Sequence, residues 1–240
     1  MSDDTQSIDS QKVVAVVIGR AGSKGLPGKN LLPIGGKPMI AHSVDHACGS
    51  QLVGRVLCST DGVEIAAAAE DAGAEIVMRP ADLASDTATV DSALRHAITD
   101  SASDAEYVVM LYGNVPIRPP GLVDRAVEEL VRSGADSVQS YGPVGKHHPY
   151  WTVRIDDHGV VDAWQDHEVY RRQDLPPAFI PDGGVVVVTR SSLFDVGSGH
   201  PHAFLGKVRR GIKNPEGSVV DVDDRVDYLL ARALFEERAT

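Results

Sequence analysis

A glycine-rich, cationic segment follows the first apolar run of the sequence. This segment, GRAGSKGLPGKN at residues 19–30, contains four glycines and three basic residues but no Asp or Glu. Glycines allow backbone N–H groups to approach an anion, and Arg20 and Lys24 supply positive charge. The spacing matches neither G-x-x-x-x-G-K-[ST] nor G-x-G-x-x-G. We therefore predict a phosphate site of another type in this loop, with a plain turn as the alternative.

Two carboxylates near the end of the chain, Asp221 and Asp223 in VVDVDD, form a second candidate site. In an extended strand, residues two apart point to the same side, so both carboxylates are able to reach one hard cation such as Mg²⁺. The alternative is that Asp223 or Asp224 caps the helix that follows. Both interpretations are compatible if Asp224 is the cap and the other two hold the metal.

The charge of the chain is unevenly distributed. The whole sequence has a formal net charge of −11, yet residues 10–44 contain five basic residues and no acid. The overall acidity argues against a general binder of nucleic acid or of a membrane surface. The local positive window instead favours a small anionic ligand. No apolar run has the length of a membrane span, and the polar start has no signal-peptide core, so we expect a cytoplasmic protein.

Alternating apolar runs and amphipathic stretches predict the elements that position these residues. We expect strands at 13–18, 55–60, 74–78, 106–112 and 135–141, separated by helices at 38–47, 61–73, 87–99 and 121–134. This rhythm predicts an α/β fold, with a mainly parallel sheet and helices on both faces. Ligands of such sheets bind beyond the carboxyl ends of the strands, where the cationic loop lies. Asp61, after the second strand, is predicted to cap the next helix, with a nucleotide contact as the alternative.

The rhythm breaks between residues 142 and 181, which we interpret as an inserted arm. A hairpin is predicted at 150–164 with its turn at 157–159, followed by a proline-rich loop. Residues 184–190 then return to the sheet, and residues 217–240 give a last short strand and a closing helix. We therefore expect a flexible tail at 1–12 and a single domain at 13–240. The two cysteines, Cys48 and Cys58, match no metal spacing and are expected to be buried thiols.

Several segments together resemble the acylneuraminate cytidylyltransferases. They are GRAGSKGLPGKNLLPIGGKPMIAHSV, CSTDGVEIAAAAEDAGAEIVMRPADLASDTAT, VPIRP, RRQDLPPAF and VVDVDDRVDY, in this order along the chain. The resemblance implies a Rossmann-like α/β fold and a dimer that exchanges an arm near the active site. It also implies Mg²⁺-dependent transfer of CMP from CTP to the anomeric hydroxyl of a nine-carbon 2-keto sugar acid, with release of pyrophosphate.

The resemblance also implies roles for particular residues. The loop residues Ala21 and Gly22 would lie against the nucleotide, while Arg20, Ser23 and Lys24 would hold the triphosphate. Asn30 would help to orient the triphosphate, and Arg79 would lie near the nucleotide. Arg172 and Gln173 would face the sugar acid. With the resemblance, a metal role for Asp221 and Asp223 is favoured over capping.

The sequence departs from this family in the acceptor half. Where the family has a pattern like L-Q-P-T-S-P-L-R, this chain has LYGNVPIR, so that Tyr112 replaces a glutamine that contacts the sugar acid. Asp182 stands where an asparagine is usual, and Trp151 stands near a usual lysine. Tyr112 and Asp182 are therefore candidate acceptor contacts. The alternatives are a Kdo-like or non-sialic acceptor, a nucleotide-binding homologue that has lost catalysis, and a glycosyltransferase.

Overall fold

A mixed β-sheet organises the chain in the computed structural model, which describes residues 8–23, 25–85, 87–195, 197 and 200–238. The strands are β1 (Val13–Ile18), β2 (Pro33–Ile34), β3 (Lys37–Pro38), β4 (Arg55–Thr60), β5 (Glu75–Met78), β6 (Tyr107–Tyr112), β7 (Ser137–Pro143), β8 (Val153–Ile155), β9 (Val161–Ala163), β10 (Phe179–Thr189) and β11 (Arg209–Lys213). The helices are α1 (Met39–Cys48), α2 (Val63–Asp71), α3 (Val90–Asp100), α4 (Leu122–Ser133), α5 (Arg190–Phe194) and α6 (Arg225–Arg238). Within these residues, no helix is both long enough and apolar enough for a bilayer span.

Seven strands form the main sheet of the described residues, in the order β11-β7-β10-β6-β1-β4-β5. β1 pairs in parallel with β4 and β6, and β4 pairs in parallel with β5. β10 is antiparallel to both of its neighbours, β6 and β7, and β11 adds to β7 in parallel. The predicted α/β fold with a mainly parallel sheet is confirmed.

The apolar run of β1 forms a core on each face of the sheet, because successive side chains point to opposite faces. Val13, Ala15 and Val17 pack with buried residues of α1, α2 and α4. Val14 and Val16 pack on the other face with residues of α3 and α5. A strand that is buried on both faces reads as a continuous apolar run, as VVAVVI does. The predicted helices on both faces are therefore confirmed.

Two expectations, about the last strand and one cysteine, are wrong in the structure. Most of the predicted tail, residues 1–7, lies outside the described residues; at its end Ser10–Lys12 forms a 3₁₀ turn, and the ammonium of Lys12 lies 2.6 Å from a carboxylate oxygen of Glu106. The last short strand is replaced by an isolated bridge between Ile117 and Val220. Cys58 is buried as expected, but Cys48 is exposed because it ends α1.

The inserted arm lies between β7 and β10. Its hairpin, β8 with β9, forms a two-stranded sheet of its own, and Gly159 has the positive φ of 80° that the predicted turn requires. Every residue of β8 and β9 is exposed. β10 begins at Phe179, so the predicted arm loses its last residues to the main sheet, where Phe179 pairs with Pro143.

The edge strand β11 is absent from our sequence prediction, and one carboxylate explains how it docks. Oδ2 of Asp136 accepts hydrogen bonds from the backbone N–H groups of Lys207 and Val208, at 2.7 and 2.8 Å. These bonds lower the pKa of Asp136 below its ordinary value of 3.8. Gly206 makes the close approach possible, since a Cβ there would lie 2.2 Å from the Cβ of Asp136.

We predict that Asp136→Asn lowers the free energy of unfolding at pH 7 by about 1 kcal/mol, because the backbone donors lose a charged acceptor. A carboxyl whose pKa is lowered by folding contributes stability above its ordinary pKa and loses it as the pH falls through the folded value. The difference between wild type and variant should therefore shrink below about pH 4. Urea unfolding at a series of pH values tests this. A difference that stays constant with pH would contradict the ionic contribution.

Candidate active site

A cavity of about 510 Å³ opens at the carboxyl ends of β1 and β6, where the cationic loop leaves the sheet. This location agrees with the general rule for ligands of open α/β sheets. The cavity is lined by Ile18, Gly19, Arg20, Ser23, Gly25, Lys29, Asn30, Arg79, Leu83, Ser85, Ala88, Thr89, Val90, Tyr112, Asn114 and Asp223. Five predicted nucleotide and metal residues, namely Arg20, Ser23, Asn30, Arg79 and Asp223, thus meet at one cavity.

Asp61 anchors the cationic loop to the end of β4. Its Oδ1 accepts a hydrogen bond of 2.8 Å from the backbone N–H of Ala21. The prediction that Asp61 caps α2 is wrong, because the N-cap is Gly62 and no side chain makes the cap bond. The N–H of Ala21 is therefore occupied by a carboxylate in this conformation. Ser23 also uses its N–H within the loop, donating 3.0 Å to the carbonyl of Ala21.

Two arginines, Arg20 and Arg79, line the cavity and place positive charge there. Arg79 is 8% exposed, and its guanidinium donates to the side chain and the carbonyl of Ser59. Burial lowers the pKa of Arg79, and the nearby charge of Arg20 acts in the same direction, whereas Asp61 opposes both. A bound anion would relieve this concentration of positive charge.

Asn30 closes the loop side of the cavity and is buried. Its Nδ2 donates 2.9 Å to the carbonyl of Arg20, which fixes the start of the loop. Its Oδ1 is buried without a hydrogen-bond partner in the structure. A buried unpaired acceptor beside a cavity is available to a donor on a ligand.

Of the acidic pair, Asp223 lines the cavity, whereas Asp221 lies beside it and lines neither cavity. Asn114 connects the two carboxylates, since its Nδ2 lies 2.6 Å from Oδ1 of Asp221 and 3.3 Å from Oδ1 of Asp223. Nζ of Lys29 lies 2.8 Å from the same oxygen of Asp223. Burial raises the pKa of Asp221 to about 6, with a further contribution from the charge of Asp223. Sequence reasoning assigned no role to Lys29 or Asn114.

Asp224, rather than Asp223, caps α6. Oδ1 of Asp224 accepts from the backbone N–H groups of Val226 and Asp227, at 2.7 and 3.0 Å. In return, Oδ2 of Asp227 accepts from the N–H groups of Asp223 and Asp224. This reciprocal arrangement is a capping box. The side chain of Asp223 therefore takes no part in the cap and is directed to Lys29 and Asn114.

The acidic pair has the donor chemistry that Mg²⁺ requires. Mg²⁺ is held in many nucleotide enzymes by one or two carboxylates, with phosphate oxygens and waters completing its shell. Asp221 and Asp223 each have a carboxylate oxygen within 3.3 Å of the same nitrogen atom, so their oxygens converge on one region. No cluster of three or more His, Cys, Asp or Glu side chains suited to a metal occurs within the described ranges.

A second cavity, of about 440 Å³, adjoins the first and shares Thr89, Val90 and Tyr112 with it. Its other lining residues are Asp91, Met110, Gln139, Tyr141, Pro181, Val186, Pro201, His202, Phe204, Leu205 and Arg209. Tyr112 ends β6 and lies at the junction of the two cavities. Burial raises the pKa of its phenol. The predicted acceptor contact thus lies between a cationic cavity and one with mixed apolar and polar walls.

Several predicted site residues are not brought to either cavity. Arg172 and Gln173 lie in an exposed 3₁₀ turn of the arm, Arg172–Asp174, and line neither cavity. Asp182 lies within β10, where the pairing with β7 is irregular, and its carboxylate accepts from Ser140, Gly184 and Asn214. Lys24 lies outside the described residues.

Arg118, in the VPIRP motif, is the clearest structural residue that sequence reasoning left without a role. Its guanidinium is 2% exposed and donates to the carbonyls of Gly184, Val115 and Tyr112 and to Oγ of Ser43. Burial lowers its pKa to about 9, although Asp221 and Asp182 oppose this change. A cation between apolar residues and prolines, in VPIRP, was the available signal.

Comparison with known proteins identifies the family. A family model described as cytidylyltransferase matches residues 14–182. The chain belongs to the cytidylyltransferase family. The N-acylneuraminate cytidylyltransferase of Streptococcus agalactiae serotype V is 29% identical over 220 residues, which are 91% of this chain and 52% of that protein. The predicted resemblance is therefore confirmed.

Other members of the cytidylyltransferase family match more of their own length. The CMP-N,N'-diacetyllegionaminic acid synthase of Legionella pneumophila is 30% identical over 234 residues, covering 94% of this chain and 97% of that protein. By contrast, this chain spans about half the length of the streptococcal relative. A solved structure of CMP:2-keto-3-deoxy-manno-octonic acid synthetase complexed with CTP has a TM-score of 0.72 and 19% identity, covering 94% of this chain and 99% of that one. At this identity the likeness shows the fold.

We predict that Arg118→Met lowers the free energy of unfolding by about 3 kcal/mol or more, because three carbonyls lose their donor in a buried place. Arg132→Met is the matched control, since the Arg132 side chain is 73% exposed. The control should change stability by no more than about 0.5 kcal/mol. Urea unfolding of the two variants and wild type measures both values. Equal stability of the two variants would show that Arg118 is not a structural anchor.

Proposed function

We propose that this chain transfers CMP from CTP to the anomeric hydroxyl of a sialic-acid-like 2-keto sugar acid and releases pyrophosphate. The observation that carries the proposal is one cavity lined by Arg20, Arg79 and Asp223, with a second cavity beside it. Asn114 holds the carboxylate of Asp221 next to that of Asp223. A triphosphate needs cations along its length, and nucleotidyl transfer needs a metal at the reacting phosphate. Membership of the cytidylyltransferase family supports this assignment.

On this proposal, the residues of the cavity have different roles. Arg20, Arg79 and the loop, including Lys24, bind the triphosphate and neutralise charge that develops on the leaving pyrophosphate. Asp221 and Asp223 would hold Mg²⁺, which would polarise the phosphate oxygens when bound. Tyr112 orients the acceptor at the boundary of the two cavities.

The acceptor is proposed to bind in the second cavity. Its wall combines the cation of Arg209 with apolar side chains that include Met110, Val186 and Phe204. A carboxylate on the sugar suits the cation, and acyl or deoxy positions suit the apolar wall. The legionaminic acid synthase, which is similar over nearly all of both chains, supports a nine-carbon acid.

A second candidate acceptor is the eight-carbon acid Kdo. The 3-deoxy-manno-octulosonate cytidylyltransferase of Hahella chejuensis is 40% identical over 115 residues, or 48% of this chain. The decisive experiment measures pyrophosphate release with Mg²⁺, testing CTP, UTP, GTP and ATP against N-acetylneuraminic, legionaminic and pseudaminic acids and Kdo. Turnover with CTP and a nine-carbon acid supports the proposal. Turnover with Kdo alone supports the second candidate, and CTP binding without turnover indicates a homologue that only binds nucleotide.

Two neighbouring aspartates allow catalysis to be separated from capping. We predict that Asp223→Asn lowers kcat by about 100-fold, because one metal carboxylate is lost, with little change in stability. Asp224→Ala should lower the free energy of unfolding by about 1 kcal/mol, because α6 loses its N-cap, while kcat per folded molecule is kept. Steady-state kinetics and urea unfolding of both variants make the test. The reverse pattern would refute the metal assignment.

We also propose that the chain forms a homodimer through its arm. The hairpin exposes apolar side chains that its own core leaves uncovered, among them Ile155 at 67%, Val161 at 58% and Trp164 at 54% exposure. Exposed apolar patches of this kind mark interaction sites. Arg172 and Gln173 lie on the same arm, so a partner's arm would be able to bring them to the acceptor cavity.

We predict that Ile155→Asp converts a dimer to a monomer, because a carboxylate in an apolar interface is desolvated without a partner. Val63→Asp is the control, since Val63 is 77% exposed on α2, away from the arm. Light scattering after size-exclusion chromatography gives the mass of each variant. A monomeric wild type, or a dimer that survives the arm variant, would refute the arm-mediated interface.

A further inference from the structure

Lys29 connects the cationic loop to the acidic pair of Asp221 and Asp223. It follows the glycine-rich loop, and its ammonium lies 2.8 Å from Oδ1 of Asp223. The Lys29 side chain is 18% exposed, whereas that of Asp223 is 73% exposed. Both residues line the cavity. The ammonium is therefore held within the cavity wall, while the carboxylate that it contacts stays largely exposed.

The ammonium lies where positive charge is needed in the absence of a ligand. Asn114 holds the carboxylates of Asp221 and Asp223 near each other, but its amide is neutral. Lys29, by contrast, carries a full positive charge and contacts Asp223 of this pair directly. A divalent cation on the same carboxylates would lie within a few ångströms of the ammonium and would be repelled by it.

We propose that Lys29 is a resident counter-ion of the acidic pair, which keeps a divalent cation from binding until a triphosphate draws the ammonium away. This inference rests on the proposed metal role of Asp221 and Asp223. The flexible stem of a lysine lets its ammonium exchange partners within one cavity. The cations Arg20 and Arg79 line that cavity, so an anion bound there is within reach of Lys29. Metal and nucleotide then bind together rather than metal first.

The test measures binding of Mn²⁺ alone to the full chain, by titration with detection of free Mn²⁺ by electron paramagnetic resonance. We expect Lys29→Met to lower the Kd for Mn²⁺ by about tenfold or more, because the repelling charge is gone. Lys29→Arg keeps the charge and should bind Mn²⁺ as weakly as wild type. Lys37→Met has the same net charge as Lys29→Met but loses an exposed pair with Asp45, so it should also match wild type.

Adding Asp223→Asn to Lys29→Met separates the inference from the proposal beneath it. Loss of the gained Mn²⁺ affinity in the double variant supports both. If Lys29→Met binds Mn²⁺ no more tightly than wild type, the counter-ion role is wrong; the metal assignment still stands if Asp223→Asn alone abolishes Mn²⁺ binding in the presence of CTP. If the affinity gained in Lys29→Met survives Asp223→Asn, the metal lies elsewhere and both fail.

Discussion

A single guanidinium, that of Arg118, is enclosed beneath the segment that follows β6, and it donates to the carbonyl of Tyr112 at the end of β6 and to that of Gly184 in β10. Tyr112 precedes this segment and Asn114 lies within it. Because the carbonyl of Tyr112 accepts from Arg118, the end of β6 cannot move without breaking a charge-assisted hydrogen bond. Asn114 in turn holds the acidic pair. The positions of the proposed metal ligands and of the residue between the two cavities thus depend on one buried cation that does not face the first cavity.

The cationic loop and the acidic pair are far apart in the sequence but in direct contact. Gly25 of the cationic loop lies against the backbone of Asp223, and a Cβ there would be 2.7 Å from the carbonyl oxygen. Lys29 makes a second link, through its ion pair with the same aspartate. On the proposed function, in which the loop binds an anion and the acidic pair a cation, the two affinities are coupled, because linkage between binding free energies is reciprocal.

The sequence predicts those features that depend on local pattern. The buried run of β1 and the glycines after it locate the cavity, and the spacing of Asp221 and Asp223 predicts that their side chains converge. Contacts between residues far apart in the sequence could not be predicted from these local patterns. β11 has the sequence RRGIK, with no apolar alternation, and it docks through Asp136, a carboxylate 71 residues from Lys207. Asp61 binds a backbone group 40 residues away rather than the helix beside it.

The two cavities differ in how their walls are built, and this bears on which part of the proposed reaction is open to change. Hydrogen bonds between side chains and the backbone fix the first cavity. The N–H of Ala21 donates to the carboxylate of Asp61, and the carbonyl of Arg20 accepts from the amide of Asn30. The second cavity is formed largely by side chains from β6, β7, β10 and the segment leading to β11. Substitution of a side chain reshapes such a wall without moving a strand. On the proposed function, a change at Phe204 or Arg209, which line the second cavity and not the first, therefore alters the choice of acceptor while the nucleotide cavity keeps its geometry.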